Sequence, residues 1–167
     1  MIHPRFVDLS HTIEHGLITY KGLPAPLICD YLSREESRKR YAPGTEFQIG
    51  KIEMVANTGT YIDCPFHRYA DGKDLSQVAL PAFTDLEGIL VRVDYRRDLA
   101  VTPEAFSGLD VAGRAVLVQT GWAARWATDA YFEPNPFLTE AAAIYLRDHG
   151  ARLVGIDSLN IDDTRGG

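Results

Sequence analysis

Short stretches in which apolar and polar residues alternate fill the first third of the chain, and such alternation is typical of strands. The pattern predicts strands at residues 6–11, 27–32 and 45–56. Within the last of these the alternation changes phase at Gly50-Lys51, which indicates a bulge or a strong bend. The densely charged residues 33–40 predict an exposed loop or helical turn.

The second half of the chain has longer apolar runs, which are separated by a helix signal. A strand is predicted at 86–95, and the continuous apolar runs at 115–119 and 153–156 are typical of strands buried on both faces. A helix is predicted at 140–149, with Thr139 as its N-terminal cap. Strand, helix and strand in this order form a βαβ unit with parallel strands and a right-handed crossover.

Together these elements predict a single α/β domain over residues 1–167. We expect an antiparallel N-terminal sheet layer that packs on a parallel sheet with helices outside. A chain of 167 residues is long enough for one domain with a sizeable core. No internal repeat, low-complexity tract or linker interrupts it.

Composition narrows the class of protein. The content of 46% hydrophobic and 24% charged residues is that of an ordinary soluble globular protein. A net charge of −6 argues against a nucleic-acid surface, which requires a basic patch. No apolar run approaches the ~20 residues of a membrane span. Cys29 and Cys64 lack metal-ligand spacing, so we expect a reduced, cytoplasmic protein.

Two aspartates follow the strand predicted at 153–156. Open α/β sheets bind ligands at the carboxyl ends of their strands, so Asp157 and Asp162 are candidate ligand contacts, with a capping or turn role as the alternative. Trp122 and Trp126 are four residues apart and would share a helix face. One interpretation of the pair is core packing, and the other is a wall for an aromatic substrate.

The stretch with the most chemistry is residues 57–67, which read Asn-Thr-Gly-Thr-Tyr-Ile-Asp-Cys-Pro-Phe-His. In a straight strand, positions 57 and 63 would lie roughly 20 Å apart, too far for one small site. Gly59 and Pro65 interrupt the stretch, and both residue types redirect a backbone. We therefore expect a strand that bends at Gly59 and leaves its sheet near Pro65, which brings Asp63 and His67 together in one cavity. The alternative is a strand-end loop in which the Asp and His are incidental.

The same stretch resembles the signature of the cyclase family of metal-dependent hydrolases, which includes bacterial kynurenine formamidases and isatin hydrolases. That signature reads His-x-Gly-Thr-His-x-Asp-x-Pro-x-His. The resemblance implies a swivelling β/β/α-type three-layer domain with mixed sheets, and it runs through most of the chain. The matching positions are Gly59, Thr60, Asp63, Pro65 and His67.

Two signature histidines are replaced in this chain. Asn57 and Tyr61 stand where the first and second histidines belong. In the family those histidines and the aspartate bind a divalent metal, zinc or manganese by default, and the last histidine is the acid/base. The resemblance therefore makes His67 the acid/base and leaves Asp63 as the only retained ligand of this metal. We expect weak zinc binding or none, because a tetrahedral zinc site needs three protein ligands.

The resemblance also bears on the end of the chain. Family members continue past the position of Gly167, and their extra segment supplies a His and a Glu for a second metal together with closing strands. We therefore expect the usual C-terminal segment to be lacking, so that the sequence is either a fragment or a shortened relative completed by a partner subunit.

The implied activity is hydrolysis of an aryl amide, formamide or lactam by an arylformamidase-like enzyme. We assign His67, Asp63 and Tyr61 to catalysis and Asn57, Thr60 and Trp122 to binding of a small-molecule substrate. One alternative is a metal-independent cyclase, lyase or dehydratase, with His67 as base and Tyr61 as a hydrogen-bonding electrophile. Another is a non-catalytic relative that binds a small molecule or serves as an assembly subunit. An unclosed sheet edge invites pairing, so we expect a homodimer or homotetramer.

Overall fold

The computed structural model describes residues 6–166. The chain divides into two compact units, Met1–Ile62 and Asp63–Gly167. Each contains its own sheet, as expected of the α/β class with mixed strand directions, which the structure confirms. That the whole chain forms one domain stays a prediction. Over the described residues, no helix is both long and apolar enough to cross a membrane.

The first unit is built on an antiparallel pair of strands, β1 (Leu27–Leu32) and β2 (Ile49–Glu53). The helix α1 (Arg34–Arg40) lies between them in sequence, where a loop or helical turn was expected. It forms because Ser33 caps it: the Ser33 Oγ accepts a hydrogen bond from the Glu36 N–H at 3.1 Å.

Two strand predictions in this unit need correction. The strand predicted at 45–56 is shorter, and its irregularity lies on the partner strand: Asp30 pairs with Gly50 and Leu32 with Ile49, which leaves Tyr31 as the extra residue. The strand predicted at 6–11 is wrong, because this segment pairs with no strand among the described residues. Alternation alone does not make a strand without a partner that completes its hydrogen bonds.

The second unit contains a parallel three-stranded sheet in the order β3–β5–β7. Its strands are β3 (Gly88–Arg92), β5 (Ala115–Gln119) and β7 (Leu153–Ile156). A second, two-stranded parallel sheet pairs β4 (Ala100–Val101) with β6 (Phe137–Leu138). The helix α2 (Glu140–Asp148) precedes β7, and Thr139 caps it by accepting from the Ala142 N–H at 3.1 Å. The predicted βαβ unit of β5, α2 and β7 is confirmed.

The core of this unit lies around the central strand β5. Val116 and Val118 of that strand pack in one cluster with Phe106 and Leu146, which are 0% and 1% exposed. Burying a side chain of this size contributes about 1.5–3 kcal/mol. The strand β7 is only half-buried, contrary to the expectation of two covered faces. In the described part of the chain it pairs only with β5, so it ends the sheet.

Candidate functional site

The signature stretch begins in the first unit, after β2 has ended at Glu53. The chain there is a loop, so the expected bent strand is a bend within a loop. Gly59 has a φ of +66°, a conformation that favours glycine, and a Cβ built on it would lie 3.1 Å from the Ile13 side chain. Thr58 is 2% exposed, and its Oγ1 donates to the Val55 carbonyl at 2.7 Å. Asn57 is half-buried, whereas Thr60 and Tyr61 are exposed.

The end of the stretch lies in the second unit, on a 3₁₀ turn at Pro65–His67. Pro65 suits the first position of such a turn because its φ is fixed and its missing N–H would have no partner there. The His67 N–H donates to the Cys64 carbonyl at 2.9 Å, and the Arg68 N–H donates to the Pro65 carbonyl at 3.1 Å. These bonds fix the backbone that carries the histidine.

Asp63 and His67 meet across this turn. The His67 Nδ1 lies 3.4 Å from the Asp63 Oδ1, and the two side chains are 53% and 45% exposed. A contact between side chains this exposed contributes at most about 1 kcal/mol to stability, so it matters for the position of the imidazole ring rather than for the fold. Because Nδ1 is the ring nitrogen beside the carboxylate, Nε2 is the one left to exchange a proton.

The metal positions do not form a zinc ligand set. Among residues 6–166, no group of three or more His, Cys, Asp and Glu side chains comes together as a metal site. Of the three positions that the resemblance assigns to the first metal, Asp63 has a carboxylate, while Asn57 offers an amide and Tyr61 a phenol. A closed zinc site needs deprotonated or neutral-imidazole ligands in sufficient number, which these side chains do not provide.

Trp122 lies inside the second unit, where it is 2% exposed. Its Nε1–H donates to the Tyr131 carbonyl at 3.1 Å, and the Arg125 guanidinium lies 4.1 Å from the centre of its ring. These contacts fit the packing interpretation, and a role in substrate binding stays a prediction. The prediction that Trp122 and Trp126 share a helix face is wrong, because the 3₁₀ helix ends at Arg125 and the backbone of Trp126 is extended.

Asp157 joins the carboxyl ends of β5 and β7. Its Oδ1 accepts from the Thr120 N–H at 2.6 Å and from the Thr120 hydroxyl at 2.7 Å, while its Oδ2 accepts from the Gly121 N–H at 2.9 Å. All its contacts given by the structure are thus internal, as in the capping or turn interpretation. Asp162 is exposed.

A cavity of about 640 Å³ lies in the second unit, between β6, α2, β7 and residues 161–163. Its walls are mainly apolar, with Leu146 and Val154 among them, and Asp162 also lines it. Asp63 and His67 are not among its lining residues. A cavity shared by those two side chains therefore stays a prediction.

Gly72 is a structural residue of the site that no expectation from the sequence had singled out. A Cβ built on it would lie 2.6 Å from the Pro65 carbonyl carbon. The turn that carries His67 therefore depends on the absence of a side chain at this position. The dipeptide Asp71-Gly72 was the only signal for it in the sequence.

Comparison with known proteins finds kynurenine formamidases among the relatives of this chain. The kynurenine formamidase of Geobacillus thermodenitrificans is 25% identical over 164 residues, which cover 97% of this chain and 72% of that protein. The kynurenine formamidase of Bacillus cytotoxicus is 27% identical over 157 residues, covering 94% of this chain and 70% of that protein.

Solved structures agree in fold. A predicted metal-dependent hydrolase from Bacillus stearothermophilus superposes with a TM-score of 0.68 at 26% identity, over 96% of this chain and 72% of that one. Isatin hydrolase A from Labrenzia aggregata, bound to benzyl benzoate, gives a TM-score of 0.74 at 22% identity over 97% and 71% of the two chains. The family model described as putative cyclase matches residues 7–163. This chain therefore belongs to the cyclase family.

Proposed function

We propose that this chain is an amide hydrolase that cleaves an aryl amide, formamide or lactam with His67 as acid/base. The observation that carries the proposal is the 3.4 Å approach of His67 to Asp63, at the signature positions of a chain that the cyclase model matches over residues 7–163. The names of the relatives, kynurenine formamidase and isatin hydrolase, support this class of substrate.

The chemistry follows from the orientation of the imidazole. The Asp63 carboxylate lies beside Nδ1, so Nε2 accepts a proton from the water that attacks the amide carbonyl. The same nitrogen then returns the proton to the departing amine. Proton transfer by a positioned side chain of this kind contributes about 10²–10⁴-fold in rate. Tyr61 is proposed to donate a hydrogen bond to the carbonyl oxygen, and Asn57 and Thr60 to contact the substrate, on the basis of their signature positions.

No step here passes through a metal. The relatives include proteins described as metal-dependent hydrolases. Zinc or manganese would polarise the carbonyl and generate hydroxide in such an enzyme. The side chains at the corresponding positions of this chain do not fit that ion, as the amide of Asn57 and the phenol of Tyr61 show. The proton transfers are therefore assigned to His67, with Asp63 beside its ring.

The test uses N-formylkynurenine and isatin as probe substrates, with product release followed by chromatography, in the presence of added zinc or manganese and in their absence. We expect His67→Gln to lower kcat/KM by about 10²-fold or more, as removal of an acid/base does. His149→Gln is the matched control, because His149 is also an exposed histidine of the second unit.

The outcomes separate the candidate functions. Turnover that survives His67→Gln would contradict the proposal. Binding of a probe without product, unaltered by His67→Gln, would instead identify a non-catalytic relative. Activity on other substrates that needs His67 but no metal would identify the metal-independent cyclase, lyase or dehydratase.

We also propose that the chain forms a homodimer or homotetramer. The β1–β2 pair supports this, because Ile28 and Ile52 lie opposite each other and are 38% and 67% exposed. Tyr31, the bulged residue, is 76% exposed. Apolar side chains grouped on a strand pair favour burial against another chain.

We further propose a cytoplasmic location. The free cysteines Cys29 and Cys64 support a reducing, cytoplasmic environment.

A further inference from the structure

The turn that carries His67 is in close contact with a second backbone segment at Gly72. A Cβ built on Gly72 would lie 2.6 Å from the Pro65 carbonyl carbon, 2.8 Å from its oxygen and 2.9 Å from the Phe66 nitrogen. All three neighbours are backbone atoms, which cannot rotate away as the end of a side chain can. Cβ atoms in proteins essentially never approach within 3.0 Å, so any side chain at this position forces one of the two segments to move.

Hydrogen bonds tie the same two segments together. The Phe66 N–H donates to the Lys73 carbonyl at 3.1 Å, and the Gly72 N–H donates to the Tyr69 carbonyl at 2.8 Å. The Tyr69 N–H in turn donates to the Pro65 carbonyl at 2.9 Å. These hydrogen bonds hold Gly72 against the Pro65–His67 turn. The two backbone segments can lie this close only because Gly72 has no side chain.

The segment after Gly72 is braced by a carboxylate. The Asp74 Oδ1 accepts from the Ser76 N–H at 2.9 Å and from the Ser76 hydroxyl at 2.6 Å. The Asp74 N–H donates to the Gln77 Oε1 at 3.1 Å. These bonds hold the segment after Gly72, so part of any displacement caused by a clash at Gly72 falls on the Pro65–His67 turn.

We propose that Gly72 is a positioning residue for the His67 imidazole, an inference that rests on the proposed acid/base role of that histidine. To reach the 3.4 Å at which ordinary contact begins, the 2.6 Å approach must open by about 0.8 Å. The His67–Asp63 distance is 3.4 Å, at the outer limit of a polar contact, so a displacement of this size in the turn alters that contact. A misplacement of about 1 Å at a reacting group can cost 10²-fold in rate.

The test is Gly72→Ala, with Gly88→Ala as the matched control. A Cβ at Gly88 meets nothing within 4 Å, and its φ is outside the left-handed region, so that change adds the same methyl group without a clash. In kinetics, we expect Gly72→Ala to lower kcat by 10–10²-fold with little change in KM, and Gly88→Ala to change neither.

A second readout does not depend on activity. The chain has five histidines, and the ring Cε1–H signal of His67 can be assigned in a ¹³C-labelled sample by its loss in His67→Gln. We expect Gly72→Ala to move the His67 signal while the other histidine signals stay in place. If Gly72→Ala does not fold, Ser76→Ala, which loosens the brace, is expected to move the same signal by less.

The kinetic and NMR readouts distinguish a failure of the positioning role of Gly72 from a failure of the proposed hydrolase function. A His67 signal that stays in place in folded Gly72→Ala would overturn the positioning role, and so would an unmoved signal in Ser76→Ala if the alanine at position 72 prevents folding. A signal that moves in a protein without hydrolase activity supports the geometric inference and counts against the proposed function alone.

Discussion

Removal of the Asp157 carboxylate tests whether that residue serves the fold or a ligand. Its oxygens accept three hydrogen bonds, two from Thr120 and one from the Gly121 N–H, at distances of 2.6–2.9 Å. Thr120 is 4% exposed, and its hydroxyl also accepts from the Trp122 N–H at 3.1 Å. Asp157→Ala therefore leaves buried donors without an acceptor at the junction of two parallel strands.

The expected cost follows from those donors. A hydrogen bond to a charged group contributes about 1.5–3 kcal/mol. Water can replace the carboxylate at the exposed Gly121 N–H but not at Thr120, so the two Thr120 bonds dominate. We expect Asp157→Ala to cost about 3–4 kcal/mol of unfolding free energy. Asp157→Asn keeps one acceptor oxygen but presents an NH₂ group to the other donor, so its cost should be about 1–2 kcal/mol.

Urea unfolding followed by tryptophan fluorescence measures this, because Trp122 and Trp126 are the only tryptophans and both lie in the second unit. The control is Asp162→Ala, an exposed aspartate near the same strand end, for which we expect a change within about 0.5 kcal/mol. Equal costs for Asp157→Ala and Asp162→Ala would refute the structural assignment. Loss of activity in Asp157→Asn at unchanged stability would place the residue in a ligand site instead.

Three further predictions concern the metal, the assembly and pH. The double change Asn57→His with Tyr61→His should allow stoichiometric zinc binding by elemental analysis, and each single change should do little, because the ligands act on one centre. Ile52→Ser should shift the mass measured by light scattering from an oligomer towards the monomer, because it removes an exposed apolar side chain from the strand pair. A hydrogen bond from the Ser76 hydroxyl holds the pKa of Asp74 below its ordinary value of 3.8. The stabilisation from this bond is therefore present above pH 3.8 and is lost as the pH falls through the lowered pKa. Ser76→Ala should be less stable than the wild type at pH 7, and this difference in stability should disappear in acid.

Each of these predictions has a result that would contradict it. Stoichiometric zinc at Asp63 in the unmodified protein would refute the loss of the metal site. Glu53→Ser is the control for Ile52→Ser, since Glu53 is the next residue of the strand and faces the opposite side. A monomeric wild type, or equal effects of the two changes, would refute the interface. A stability difference for Ser76→Ala that is independent of pH would show that the Asp74 charge is not involved.

Features with strong local signals were predicted well. The strand predicted at 115–119 became the central strand, because its apolar residues 115–118 suit a strand that is covered on both faces. Thr139 does cap α2, since its hydroxyl satisfies a free N–H of the first helical turn. The approach of His67 to Asp63 was also expected, because Gly59 and Pro65 interrupt the stretch and redirect its backbone.

Features that depend on distant partners were missed. Asp157 bonds residues 36 and 37 positions away, and no local pattern indicates which backbone groups will be its donors. Gly72 is specified by its contact with a turn seven residues earlier, although its dipeptide reads as an ordinary turn. The expected strand at 6–11 failed for the same reason, because pairing depends on a partner that alternation does not reveal.

The retained and replaced signature positions differ in what they contribute physically. Gly59, a retained signature position, is required by the backbone through its φ of +66°, and Gly72, which lies outside the signature, is required through its contact with Pro65. Neither requirement involves a metal, so replacement of ligand side chains leaves both intact. The family fold and the His67 turn are therefore compatible with Asn57 and Tyr61 at ligand positions. It follows that membership of the cyclase family and possession of its metal are separate properties in this chain, and that the zinc content of the unmodified protein tests the second without affecting the first.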